Sequence, residues 1–121
     1  MSQFRLYAYG NCGTCKKAVK YLDNRGIDYE LIDITQSPPS VSELRKVLLS
    51  MEGNLKKLFN TSGQVYRSEG YSAKLKDMTE KDALSELANN GKLVKRPMIL
   101  DKNLGVCGFK EDVWDKFFDK K

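Results

Sequence analysis

A chain of 121 residues, 40% hydrophobic and 31% charged, can bury roughly two thirds of its unfolded surface in one core, which argues against disorder, and no second domain is expected. The net charge of +5 is spread over "KK" at 16–17, "LKK" at 55–57, "KLVKR" at 92–96 and the terminal "KK", without the clustered stripe that direct nucleic-acid binding uses. No run approaches the about 18 apolar residues of a membrane span, and "MSQFRLYAYG" lacks a signal-peptide layout, so a cytoplasmic protein, monomeric by default and without a membrane partner, is expected.

The run "FRLYAY" (4–9) is rich in strand-favouring aromatics and is broken by Gly10 and Asn11. Cys15, Ala18, Val19 and Leu22 then recur at helical spacing, and Gly26 marks the helix end. A second strand, "DYELIDI" (28–34), follows, completing a parallel βαβ unit with a right-handed crossover. "SVSELRKVLLSM" opens on a capping-box pattern from Ser40 to Glu43 and carries Leu44, Val47, Leu48 and Met51 on one helical face. A short "LKKLF" (55–59) and the turn "NTSG" lead into "YRSEGYSAKLKD", read as a loop with one helical turn. Thr79 and Asp82 begin a further helix with Leu84, Leu87 and Ala88 buried and Gly91 at its end.

"RPMILD" (96–101) reads as the third strand and "LGVCGF" (104–109) as its antiparallel return, joined at "KN". "KEDVWDKFFDKK" closes the chain as a helix with Val113, Trp114, Phe117 and Phe118 on one side. The layout is a single domain over 1–121, with a core of 1–36 and 92–121 and a helical insertion of 37–91.

Chemistry concentrates in "YGNCGTCKK". Cys12 falls between a strand end and a helix N-terminus, where free N–H groups and the helix dipole favour a thiolate. Cys15, one turn on, faces the same way but deeper, so a redox pair would divide attack from resolution. Redox or sensing chemistry competes with a metal site, yet the chain has no histidine and three cysteines, too few for a four-ligand zinc site. The missing histidine also excludes Cys-His and Ser-His-Asp catalysis. Cys107 reads as a buried small hydrophobe. Arg96 is either an anion-binding fork or a surface charge, and Pro97, opening a strand beside the thiols, is a candidate cis-proline.

Taken together, "YGNCGTCKKAVKYL", "LFNTSGQVYR", "KLVKRPMIL" and "GFKEDVW", in this order, resemble the arsenate reductase family of glutaredoxin-fold proteins, the ArsC/Spx type, over nearly the whole chain. The resemblance implies an α/β, thioredoxin-like (glutaredoxin-like) core, βαβ then ββα, with an inserted all-helical lobe, and it implies that Pro97 is cis. It makes Cys12 the nucleophile and Cys15 the resolving thiol of a thiol-disulfide oxidoreductase with no bound cofactor or metal. A disulfide would be its substrate, and glutathione, a thioredoxin or a glutaredoxin its reductant. Asn11, Gly13, Thr14, Asn60, Arg96, Pro97 and Lys110 become the expected substrate-binding residues.

Of the three arginines that bind oxyanion in arsenate-reducing members, Arg96 matches one. Asn60 and Gly108 fall where the others are expected, with Lys110 a partial substitute. At roughly 1.5–3 kcal/mol per charged hydrogen bond, that departure weakens the case for arsenate. Cys15 resembles the second cysteine of the Spx-type redox regulators, which bind the RNA polymerase α subunit; this is the alternative reading, and a glutathione- or glutaredoxin-dependent arsenate reductase is a further one.

Overall fold

The computed structural model describes residues 3–10 and 12–119. Strand β1 (Phe4–Ala8) leads through helix α1 (Gly13–Asn24) to β2 (Tyr29–Asp33), which pairs parallel to β1 with Leu6 opposite Leu31. After a run of helices, β3 (Met98–Leu100) pairs antiparallel with β1 and β4 (Gly105–Cys107) antiparallel with β3. The resulting order is β2-β1-β3-β4, and helix α6 (Glu111–Asp119) completes the thioredoxin-like βαβ–ββα core. No helix among the described residues is long and apolar enough to cross a membrane.

Alternation along the strands divides the interior in two. Leu6, Ala8, Ile99 and Val106 pack with Cys15, Ala18 and Leu22 of α1 and with Trp114 and Phe117 of α6. Tyr7, Met98, Leu100 and Cys107 point the other way, into the helices between β2 and β3. Those helices are α2 (Val41–Ser50), α3 (Gln64–Ser68), α4 (Tyr71–Lys74) and α5 (Glu80–Asn89), with single 3-10 turns at Leu55–Leu58 and Gly91–Leu93. The segment therefore covers the second face of the sheet.

Local chemistry explains the boundaries. A Schellman motif ends α1, with Ile27 N–H bonded to Leu22 O at 3.0 Å, Gly26 N–H to Asp23 O at 3.2 Å, and Gly26 at φ +67°. Helix α2 starts on the expected capping box, Glu43 N–H to Ser40 Oγ at 3.2 Å and Ser40 N–H to Glu43 Oε1 at 3.1 Å. Thr79 caps α5 by accepting from Asp82 N–H at 3.1 Å.

Four expectations change. The stretch read as loop with one turn holds two short helices, α3 and α4, because Tyr66 and Tyr71 are both buried and stack at 6.1 Å beside Phe59. Gly91 is not the residue that ends α5: Asn90 is the C-cap, and a Cβ on Gly91 would sit 1.7 Å from Ile34 O, so glycine there serves a close crossing of two backbones. Arg96 and Pro97 precede β3 instead of opening it, and the Arg96–Pro97 bond is cis. On α6, Trp114 and Phe117 are buried while Val113 is 37% exposed.

Candidate thiol site

Cys12 is the N-cap of α1. Its extended backbone (φ −89°, ψ 118°) turns the sulfur over the first helical turn, where it accepts from Cys15 N–H at 3.3 Å. Its own N–H bonds Tyr9 O at 3.1 Å, fixing the strand-to-helix turn. Partial burial pushes its pKa up, but the Cys15 side chain, the Cys15 and Thr14 amides and the nearby Arg96 charge outweigh that, and the thiol titrates below the ordinary value. The helix start thus does for this sulfur what an imidazole does elsewhere.

Cys15 is driven the other way. Only 2% exposed, it is raised to about 12 by burial; the Tyr9 N–H, 3.5 Å from its sulfur, opposes the rise, and the neighbouring Cys12 adds to it. Both thiols are free. Two sulfurs one helical turn apart, one disposed to ionise and one held protonated, form an attacking and resolving pair in chemical terms.

Arg96 lies with its guanidinium 5.1 Å from the Tyr9 ring centroid, and its Nη1 is buried without a hydrogen-bond partner. Pro97 is buried, and its carbonyl accepts from Gly108 N–H at 2.8 Å. Thr14, Arg96 and Lys110 line one groove of about 610 Å³, which Lys56, Lys57 and Lys95 also line. Gly13 opens α1 in an exposed position. Asn60 does not line the groove; a Cβ on Gly63 would fall 2.7 Å from its Nδ2, so its side chain is turned back on its own loop. Asn11 lies outside the described residues.

Sequence reasoning missed Lys56, Lys57 and Lys95, whose sole signal is the pairs "KK" and "KR" in segments far apart in the chain. It also missed what Cys107 does. Buried as expected, Cys107 donates from its sulfur to Lys57 O at 3.0 Å, tying the Leu55–Leu58 turn to β4. Burial raises its pKa to about 12 against the opposing charges of Lys95 and Lys57, so it stays a thiol. Among the described residues no group of three or more His, Cys, Asp and Glu could hold a metal ion.

A thiol pair at the start of the first helix, within reach of the charge that precedes a cis-proline, on a sheet of this order, defines a thioredoxin-fold thiol protein. The chain belongs to the ArsC family, whose model matches residues 7–117. It is 42% identical to YusI of Bacillus subtilis over 92% of this chain and 94% of that protein. It is 25% identical to the global transcriptional regulator Spx of Enterococcus faecalis over 95% of this chain and 86% of the regulator. Among solved structures, an ArsC-family related protein from Bacteroides fragilis superposes with TM-score 0.88 at 39% identity, covering 94% and 96% of the two chains. A Streptococcus mutans protein designated a possible arsenate reductase gives 0.87 at 36%, covering 95% and 99%.

Proposed function

We propose that this protein is a thiol-disulfide oxidoreductase of the ArsC type, with Cys12 as nucleophile and Cys15 as resolving thiol. The observation that carries the reading is the placement of the two sulfurs: Cys12 caps α1 and accepts from Cys15 N–H at 3.3 Å, while Cys15 is buried one turn on, which lowers the first pKa and raises the second to about 12. The Cys12 thiolate attacks one sulfur of a substrate disulfide, forming a mixed disulfide and releasing the other half as a thiolate. Cys15 then loses its proton, to the departing thiolate or to water, and attacks the Cys12 sulfur. The Cys12–Cys15 disulfide forms, the second half leaves, and two electrons have passed from the protein to the substrate. An external thiol reductant, glutathione or a thioredoxin or glutaredoxin, restores the pair.

Arsenate is a poor candidate substrate for this site, since Arg96 is the one arginine in the groove and Asn60 is turned away from it. The test is a pair of variants offered a small disulfide. Cys12→Ser is expected to abolish turnover, and Cys15→Ser to accumulate the Cys12 mixed disulfide, visible as an added mass. Turnover by Cys12→Ser at the wild-type rate would refute the assignment.

The kinship with Spx supports a second reading, in which oxidation of the same pair regulates binding to the RNA polymerase α subunit. It predicts that one redox form captures the α C-terminal domain and the other does not. Equal absence of capture by both forms would remove it.

A further inference from the structure

The groove that borders the start of α1 carries charge of one sign. Lys56, Lys57, Lys95, Arg96 and Lys110 all line it, and no carboxylate does. These charges come from three separated segments held together by the backbone: Lys95 N–H bonds Leu58 O at 2.8 Å, and Phe59 bridges Val94. Cys107 fastens the carbonyl of Lys57, and the side chain of Lys95 passes Gly108 so closely that a Cβ there would meet its Cε at 3.3 Å. A chain whose net charge is only +5 thus gathers five cations on one concavity. Neither Cys12 nor Cys15 lines the groove, but it borders the start of α1: Thr14, two residues after the N-cap Cys12, is part of its wall. Arg96 Nη1 is itself buried and has no hydrogen-bond partner within the protein.

The geometry points to a polyanionic small thiol as the molecule carried on Cys12, one with at least two negative charges that no amino group of its own offsets. The inference rests on the oxidoreductase reading and names its substrate class. At about 610 Å³ the groove is the size of a small-molecule site. Phe59 and Phe109 give it apolar surface against which a short carbon skeleton can lie. A zwitterionic thiol would bring a cation of its own into this field and lose part of the attraction. In a concave site lined by one sign of charge, attraction also raises the encounter rate, and salt weakens it. The reaction is the exchange already described: the Cys12 thiolate takes one half of the disulfide, the other half leaves as thiolate, and Cys15 releases the bound half.

The test is the single-turnover reaction of the fully reduced protein with four small disulfides of graded charge. These are cystamine, hydroxyethyl disulfide, 2-mercaptoethanesulfonate disulfide and mercaptosuccinate disulfide, whose halves carry one positive, no, one negative and two negative charges. Rates are read by acid quench, alkylation and intact mass, and each is divided by the rate of dithiothreitol with the same disulfide to remove intrinsic reactivity. The normalised rate is expected to rise along the series by at least 10-fold from hydroxyethyl to mercaptosuccinate disulfide, and that ratio to shrink at high salt. In the double variant Lys57→Gln, Lys95→Gln the ratio is expected to fall at least 5-fold. Flat normalised rates, with Cys12 still reacting, would overturn the substrate class and leave the oxidoreductase reading standing. A steep series that persists in the double variant would overturn the groove assignment. Absence of reaction with all four would overturn both.

Discussion

Cys12 and Cys15 are the same chemical group one helical turn apart, and their environments drive their titrations in opposite directions. Pairs separated in this way assign chemical roles more firmly than either value alone. Arg96 is one source of the separation, so Arg96→Met should raise the pKa of Cys12, because losing a nearby cation disfavours the thiolate. At neutral pH the alkylation rate of Cys12 then falls, while the limiting rate at high pH stays close to that of the wild type. The buried thiols have a second consequence. Cys15 and Cys107 are both raised to about 12, so in the reduced protein their stabilising contribution is complete below the ordinary thiol pKa, about 8.5, and is lost as the pH climbs toward 12. Urea midpoints should therefore decline between pH 9 and 10, with a slope of at most about 1.4 kcal/mol per pH unit for each thiol. Cys107→Val should flatten the decline, and an unchanged slope would remove Cys107 from it. The position of Cys12 was legible because an aromatic strand run gives way to helical spacing at Gly10. Its electrostatic partner Arg96, 84 residues away in the chain, was an open choice from the local sequence and was tied to the site only through the family resemblance.

At the scale of elements, caps and crossings decide where the chain can change direction. Ser40→Ala removes the hydroxyl half of the α2 capping box and should cost about 1 kcal/mol, read as a lower urea midpoint with unchanged thiol chemistry. Glu43 does more than cap: its carboxylate also accepts from Tyr7 Oη at 2.9 Å and pairs with Arg5, joining α2 to β1. Gly91→Ala tests a different constraint. With backbone 1.7 Å from the new Cβ, no rotamer change relieves the overlap, and a loss of more than about 3 kcal/mol is expected by denaturation. The capping box could be read directly, since its two residues are local and polar. The α3–α4 pair could not: each helix is too short to show a period, and what holds them is the Phe59–Tyr66–Tyr71 cluster assembled from separate turns. Gly91 looked like a helix terminator because its real neighbour, Ile34, is remote in sequence.

For the molecule as a whole, the order β2-β1-β3-β4 places β1 and β3 at the centre, covered on both faces by separate apolar clusters. Hydrogen exchange should accordingly be slowest in β1 and β3, faster in the edge strand β2 where Leu31 is 61% exposed, and faster again in α3 and α4. Comparable protection in α4 and β1 would contradict this layering. The same layering creates the cationic groove, as the loops before β3 and after β4 meet the Leu55–Leu58 turn beside the start of α1. In the sequence the lysines form no stripe, and only the fold brings them together.

The central claim is that the start of α1 ionises Cys12 while burial keeps Cys15 protonated, and the pH profile of alkylation tests it most directly. With iodoacetamide and mass-spectrometric site assignment on the reduced protein, the account predicts modification at Cys12 with an apparent pKa below that of a free thiol, and negligible modification of Cys15 through pH 9. A Cys12 that titrates like a peptide thiol, or a Cys15 that reacts as readily, would contradict it.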